Sequence, residues 1–353
     1  MLAEVVDAVI GIDTHRDTHE VEIADPAGKP VAVMRIGNDS AGFTQLVAAI
    51  AEVAPGPRVV VSLEGSRSYG VGLARALTAA GLLVIECEQP SRKQRRGKGK
   101  SDPIDAHLAV LAALRLDADR LPALRADGDR EALRILLTAR QEITAATTAQ
   151  ANRLRALLLV GDDSDRQIAR GALTQTILTC LAQRTLPADA RRDHAIRQAE
   201  ITRLALALFQ ARQQLDANRK QLQTIIDDLA PGLTSRYGIG PVSAAQAIVS
   251  FSHPGRCRSE AAFAALSGTS PIPASSGRTV RHRLNRGGDR ALNHAIHAIA
   301  LTRMRSCPRT RAYITRRTAQ GKAPREIRRC LKRYIARELY RQLTRSMKPL
   351  TNP

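Results

Sequence analysis

Ala8-Val9-Ile10-Gly11-Ile12-Asp13 decides how the N-terminal third is read. The run is short, apolar and rich in β-branched residues, which makes it a buried strand rather than a helix turn. It closes on an acid, so the strand presents Asp13 at the edge of its sheet. Outward from this strand, His19 to Ala24 alternates and predicts a second strand, and Asp25-Pro26-Ala27-Gly28 is turn chemistry. Val31 to Ile36 predicts a third strand and completes an antiparallel meander. Ser40 is placed to cap a helix running to about Val53. Arg58 to Leu63 predicts a fourth strand, Gly70 to Ala80 a helix and Leu82 to Cys87 a fifth strand. Pro103 starts a further helix to about Leu116, because proline is favoured in a first turn.

The order β-β-β-α-β-α-β-α is that of a ribonuclease-H-like, resolvase-like α/β domain, here spanning residues 1–125. The middle of the chain, 126–229, reads differently. Arg130 to Val160 and Ala195 to Leu229 are long stretches rich in Ala, Leu, Arg and Gln. Joined by a polar segment from Gly161 to Asp193, they predict an antiparallel coiled-coil arm. A bundle packed on its own domain is the other reading. The third part, 230–353, is mainly helical and basic. Its Tyr237-Gly238-Ile239-Gly240-Pro241 sits between helical runs. Gly238 and Gly240 there could expose backbone N–H groups to phosphate, as in helix-hairpin-helix modules, or form a plain tight turn.

Charge is distributed unevenly. Lys+Arg 54 against Asp+Glu 33 gives a net +21. From Ser270 onward 21 Lys/Arg face only Asp289, Glu326 and Glu338, so +18 of the total lies in that last part. Most of the excess is arginine, suited to bidentate contact with phosphate oxygens. A polyanion, first of all nucleic acid, is the partner this predicts. Aromatic residues are 3% and Trp is absent, so stacking platforms for single strands are few. Grip on the backbone of double-stranded or structured nucleic acid is expected instead. The five cysteines are scattered with no CxxC pair, which argues against a zinc site and fits a reducing cytoplasm. The first ten residues carry Glu4 and Asp7 and no basic stretch, unlike a signal peptide. No apolar run approaches membrane-spanning length, so no membrane partner is expected.

Four acids carry the chemistry. Asp13 closes the first strand and Glu64 the fourth. Asp102 and Asp105, three apart, share one face at a helix start. In this topology strand ends and a helix N-terminus converge, and clustered carboxylates repel unless a cation neutralises them. Hard oxygen donors suit Mg²⁺, with Mn²⁺ able to replace it. Two such ions about 4 Å apart would activate a nucleophile and stabilise the leaving oxygen of a phosphodiester. Singly, each acid has a plainer reading: turn residue, loop acid, N-cap, exposed helix acid. The run Arg92, Lys93, Arg95, Arg96, Lys98 and Lys100, just before Asp102, reads as a phosphate-gripping loop. His15 and His19 read as an exposed polar pair, with a proton shuttle as the alternative.

Gly11-Ile12-Asp13-Thr14-His15, Leu63-Glu64-Gly65 and Lys100-Ser101-Asp102-Pro103-Ile104-Asp105-Ala106 resemble the motifs of DEDD insertion-sequence transposases, the insertion-sequence one-ten family related to Piv DNA invertases. The resemblance extends past residue 230 and covers nearly the whole chain. It implies a DNA transposase or recombinase of the bacterial cytoplasm. Its catalytic acids would be Asp13, Glu64, Asp102 and Asp105, holding divalent metal. In such proteins a serine just before Gly-Arg is a proposed nucleophile toward DNA, and Ser276, within Ser275-Ser276-Gly277-Arg278, matches that position. A polar turn is the reading without the resemblance, and Ser275 leaves the assignment open by one residue. Arg278, Arg281 and Arg283 would sit beside the phosphate. The resemblance further implies a non-coding bridge RNA that pairs with donor and target DNA, the protein reading shape and the RNA sequence. It also implies a homo-oligomer, dimer or tetramer, in which acids and serine meet on double-stranded DNA. Two other functions fit the residues alone: a metal-dependent junction nuclease without covalent intermediate, and a non-catalytic nucleic-acid scaffold.

Overall fold

The computed structural model describes residues 1–87, 102–125, 127–185, 190–274, 282–285 and 287–349, with Asp102 and Pro103 described by backbone alone. Two compact units divide these residues, Met1–Ala126 and Asp127–Pro349.

In the first unit β1 (Ala8–Thr14), β2 (Thr18–Ala24) and β3 (Pro30–Gly37) form the expected meander. Then come α1 (Ser40–Val53), β4 (Val59–Leu63), α2 (Val71–Ala79), β5 (Leu83–Glu86) and α3 (Asp102–Leu114). The five strands make one sheet in the order β3-β2-β1-β4-β5. β1 is antiparallel to β2 and parallel to β4, and β4 is parallel to β5. The sheet is mixed, and β1 lies at its centre. One residue corrects the reading of α1. Its N-cap is Asp39, whose carboxylate accepts from the Gly42 amide at 2.8 Å, and Ser40 is already inside the helix.

Both faces of β1 are covered, so its residues divide by parity. Ala8, Ile10 and Ile12 join Val21, Ile23, Leu46, Leu63 and Leu73 in one core. Val9 joins Val110, Ala113 and Ile85 in another, under α3. Gly11 belongs to the α3 face. A Cβ placed on it would lie 2.1 Å from the Ala106 carbonyl oxygen and 2.9 Å from the Val110 amide. Backbone meets backbone there, so only glycine fits.

The second unit is helical. α4 (Asp129–Leu159) and α7 (Arg192–Leu229) lie antiparallel. Arg140 donates to the Leu215 carbonyl at 3.0 Å part-way along the pair, and Arg197 donates to the Val160 carbonyl at 2.9 Å at the far end. The segment between them is not merely polar. It holds α5 (Asp163–Arg170) and α6 (Gln175–Gln183). Leu173, Leu178 and Leu181 pack with Leu154, Leu158, Ile201 and Leu204 into a small core at the tip. A buried Asp165 receives Arg184 at 2.5 Å beneath it.

At the root, Leu133, Leu222 and Ile226 enter the main core with α8 (Pro241–Phe251) and α9 (Glu260–Leu266). A short β6–β7 hairpin, Ile272–Pro273 and His282–Arg283, precedes α10 (Arg290–Ser306), α11 (Pro308–Ala319) and α12 (Pro324–Ser346). The Arg130 guanidinium, 3% exposed, donates twice to the Val249 carbonyl at 3.2 Å, tying α4 to α8. Among the described residues no helix is long and apolar enough to cross a membrane.

Candidate active site

β1 and β4 register Ile12 against Leu63, so Asp13 and Glu64 come next on neighbouring parallel strands. The Glu64 amide donates to the Ile12 carbonyl at 3.0 Å. The Thr14 hydroxyl donates to the Glu64 carbonyl at 2.9 Å and closes the pair of strand ends. Gly65 turns the chain away at φ +71°, and a Cβ there would lie 2.4 Å from Thr14 Oγ1.

Parity puts Asp13 on the α3 face, two residues beyond Gly11. Ala106, which touches Gly11 through its carbonyl, follows directly on Asp105. α3 thus starts beside the strand ends, with Asp102 as its first residue. Asp13, Glu64 and Asp105 are each 7–9% exposed, buried for carboxylates. Glu64 Oε2 is buried and has no hydrogen-bond partner among the described residues. A buried carboxylate oxygen without a donor is unfavourable unless a cation or water meets it.

Among the described residues no three His, Cys, Asp or Glu side chains already form a metal cage. The donor chemistry still fits a hard dication. Mg²⁺ is commonly held by one or two carboxylates, its other positions filled by water and substrate phosphate.

The histidines beside Asp13 behave differently from each other. His15 Nε2 lies 3.3 Å from Asp13 Oδ2 with its side chain 44% exposed. His19 is fully buried, contrary to the exposed pair expected. Its Nε2 is 3.0 Å from Asn38 Oδ1, and its ring stacks on Phe43.

Sequence reasoning missed two acids on the same sheet face. Glu20 pairs in register with Asp13, and Glu22 with Gly11. Both are 5% exposed. Arg35 reaches Glu20, and His107 Nδ1 of α3 lies 2.6 Å from Glu22 Oε1. Alternation in β2 signalled that Glu20 and Glu22 share a face. That this face is covered by α3 could be known only from the packing.

In the second unit β6 and β7 pair Ile272 with Arg283 and Pro273 with His282. Ser275, Ser276, Arg278 and Arg281 belong to the connection between them and lie outside the described residues, as does the run from Arg92 to Lys100. The base of the hairpin borders a cavity of about 290 Å³. Arg283, Arg317, Lys322, Arg329, Lys332 and Arg333 line it, against the single acid Glu326. Arg329 donates to the His282 carbonyl at 3.1 Å. Lys332 donates to Asn293 Oδ1 at 2.5 Å, and Asn293 donates to the Ser267 carbonyl at 2.6 Å. Burial, and then Arg328 nearby, holds the Lys332 ammonium below its ordinary pKa. A dianionic or monoanionic phosphate is the ligand such a pocket favours. Gly238 adopts φ +76° between α7 and α8, and Gly240 is the N-cap of α8.

A transposase family model of the DEDD type matches residues 10–160, and the model described as transposase IS116/IS110/IS902 family matches residues 230–315. The chain belongs to this transposase family. The 43.6 kDa protein of insertion element IS110 from Streptomyces coelicolor is 26% identical over 372 residues, covering 90% of this chain and 89% of the relative. The 42 kDa protein of insertion element IS900 from Mycobacterium paratuberculosis is 24% identical over 357 residues, covering 88% of this chain and 89% of the relative. The protein is therefore a DNA transposase, and its substrate is DNA. DEDD transposases typically use divalent metal. In this transposase the first match contains the acid-bearing strand ends, and the second contains the hairpin base with Arg283, while the other cavity cations follow it on α11, on α12 and in the turn between them.

Proposed function

We propose that this transposase cuts and rejoins double-stranded DNA at insertion-sequence ends and target sites, with metal held by Asp13, Glu64, Asp102 and Asp105 and with Ser276 as nucleophile. The observation that carries the reading is Glu64 Oε2, buried without a donor beside Asp13 at the end of adjacent parallel strands. The strand order β3-β2-β1-β4-β5 supports a ribonuclease-H-like catalytic unit. When bound, Mg²⁺ (or Mn²⁺) would polarise a phosphodiester and favour its cleavage. The carboxylates hold that charge at the ends of the internal strands β1 and β4, and burial keeps water from screening it.

Ser276 Oγ attacks phosphorus as its hydroxyl proton is lost, the P–O bond to one DNA end breaks, and that end leaves as a free hydroxyl carrying a proton. The protein–DNA phosphoester so formed can be reversed by attack of a DNA hydroxyl, which releases the serine and rejoins the strand. Arg283 and the cavity cations beside the hairpin hold the phosphate, with Arg278 and Arg281 flanking the serine. The run Arg92 to Lys100 and the backbone around Gly238 and Gly240 grip nucleic acid. A non-coding bridge RNA selects the sequence, and a homo-oligomer brings the ends together.

The test is covalent trapping with purified full-length protein, end-containing duplex and co-expressed flanking RNA. Denaturing gels should show a protein–DNA adduct that requires Mg²⁺ or Mn²⁺. Glu64→Gln should lose it, Ser276→Ala should lose it, and Ser275→Ala should keep it. An adduct formed by Ser276→Ala sinks the serine assignment. Cleavage by Ser276→Ala without any adduct in the wild type would favour the water-using nuclease instead. Full activity of RNA-free protein would remove the guide.

A further inference from the structure

The chain has only five tyrosines and no tryptophan, yet Tyr237, Tyr313 and Tyr334 line one cavity of about 970 Å³ in the helical unit. The cavity lies between the Tyr237-Gly238 turn and helices α10, α11 and α12. Tyr237 and Tyr334 are about half exposed, so part of each ring's apolar surface faces the solvent of the cavity. Tyr313 and Tyr334 meet edge to face at 87° with centroids 5.8 Å apart, which fixes the Tyr334 ring at the cavity wall.

Cations surround the rings. The Arg316 guanidinium sits 5.6 Å from the Tyr313 centroid. Arg236 and Arg309 also line the cavity, and Arg236 contacts a neutral partner, Gln342, at 3.1 Å. Arg303 and Glu338 neutralise each other through two bonds of 2.7 and 3.1 Å, and Arg303 also holds the Tyr237 carbonyl at 2.8 Å. That pair fixes the wall. With Glu338, the one lining acid, engaged, the remaining charge is positive.

We propose that this cavity receives one unpaired nucleotide of the nucleic acid the transposase handles, its base against the tyrosine faces and its phosphate on Arg309 and Arg316. A flat base stacks on an exposed tyrosine face, and guanidinium groups take the flanking phosphate. The volume suits a ligand of that size, within the range of small-molecule pockets. Electrostatic grip on paired backbone needs cations but no exposed rings, and three rings at one basic cavity go beyond that need. The site therefore distinguishes a looped-out or single-stranded nucleotide from a paired one. The inference rests on the nucleic-acid reading of the basic unit and not on the serine or the acids.

Full-length protein is titrated with four labelled probes: a fully paired DNA duplex, the same duplex with one unpaired 2-aminopurine, and the matching RNA pair. Wild type should bind the bulged probe more tightly than its paired control and quench the 2-aminopurine. Tyr334→Leu and Tyr237→Leu should weaken bulged-probe binding about ten-fold, leave the paired probe within two-fold, and abolish the quench. Tyr334→Phe, which keeps the ring, should retain both. Loss on the RNA arm alone names guide RNA as the source, and loss on the DNA arm names DNA. Equal weakening on paired and bulged probes, or an unchanged quench in both leucine variants, overturns the cavity assignment while DNA binding stands. Absence of wild-type binding to all four probes overturns the nucleic-acid reading itself.

Discussion

Thr14 and Glu64 are joined across two strand ends: the Thr14 hydroxyl donates to the Glu64 carbonyl at 2.9 Å, a buried bond. Because Asp13 precedes Thr14, this bond sets the spacing of the two strand-borne acids. Thr14→Val keeps the shape and leaves that carbonyl one donor short, which should cost about 1 kcal/mol of stability. Strand cleavage should fall more than stability suggests, with a higher Mg²⁺ requirement. An unchanged Mg²⁺ titration would show that the acids do not depend on this bond.

Gly65→Ala tests the same corner from the other side. The new methyl would approach Thr14 Oγ1 to 2.4 Å at φ +71°. A destabilisation of about 2 kcal/mol or more is expected from strain and crowding together. Removing the hydroxyl in Thr14→Ala/Gly65→Ala should recover part of it, leaving the backbone component. Strict additivity in a thermal-melt cycle would contradict the clash.

Gly11→Val should be far worse. Its side chain meets Ala106 and Val110 backbone, which cannot swing aside. α3 must lift from the sheet, carrying Asp105 with it. Loss of about 3 kcal/mol or more, or failure to accumulate folded protein, is expected. A variant with wild-type melting temperature would show that α3 does not seat on Gly11.

His107 and Glu22 clamp α3 to β2 at 2.6 Å. His107→Leu strands a carboxylate that is 5% exposed, at a cost of about 1–3 kcal/mol. The double variant His107→Leu/Glu22→Leu should be more stable than His107→Leu alone, since no uncompensated acid is left. Chemical denaturation of the three proteins decides this, and a double variant that is weaker still would argue that the pair does not act as a unit.

His19 predicts an acid limb. Burial lowers its pKa below the ordinary 6.5; the Asn38 bond opposes this and neighbouring His15 adds to it. Below pH 6.5 the unfolded chain takes up a proton that the folded chain resists. This contribution is therefore complete above about pH 6.5 and is lost as pH falls toward the folded value. His19→Gln should flatten the stability profile below pH 6.5. An identical slope in the variant would assign the limb to other groups.

Much of the first unit is legible in the sequence because each strand is a compact β-branched run bounded by turn residues. Ala8 to Asp13 and Arg58 to Leu63 show this, and their ends locate Asp13 and Glu64. Ser40 misleads about the cap since Asp39, one residue earlier, competes for the same amides with a charged acceptor. α5 and α6 are too short for a strong helical period, and their apolar residues make sense only against Leu154 and Ile201 from the long helices. Burial of Glu20, Glu22 and His19 follows from layers above and below β2, which alternation alone does not reveal. The gathering of Tyr237, Tyr313 and Tyr334 joins residues nearly a hundred positions apart.

The Arg130–Val249 bond gives the paired helices a mechanical meaning. At roughly 1.5 Å per residue, α7's 38 residues span about 57 Å from tip to root, and at the root its partner α4 is tied to α8. Such a beam behaves as a cantilever: load applied at the Leu178–Ile201 head arrives as torque at Leu133, Leu222 and Ile226. The turn at Tyr237 follows immediately on that root. A bend imposed on the head is therefore passed to the segment that carries Tyr237 and Gly238.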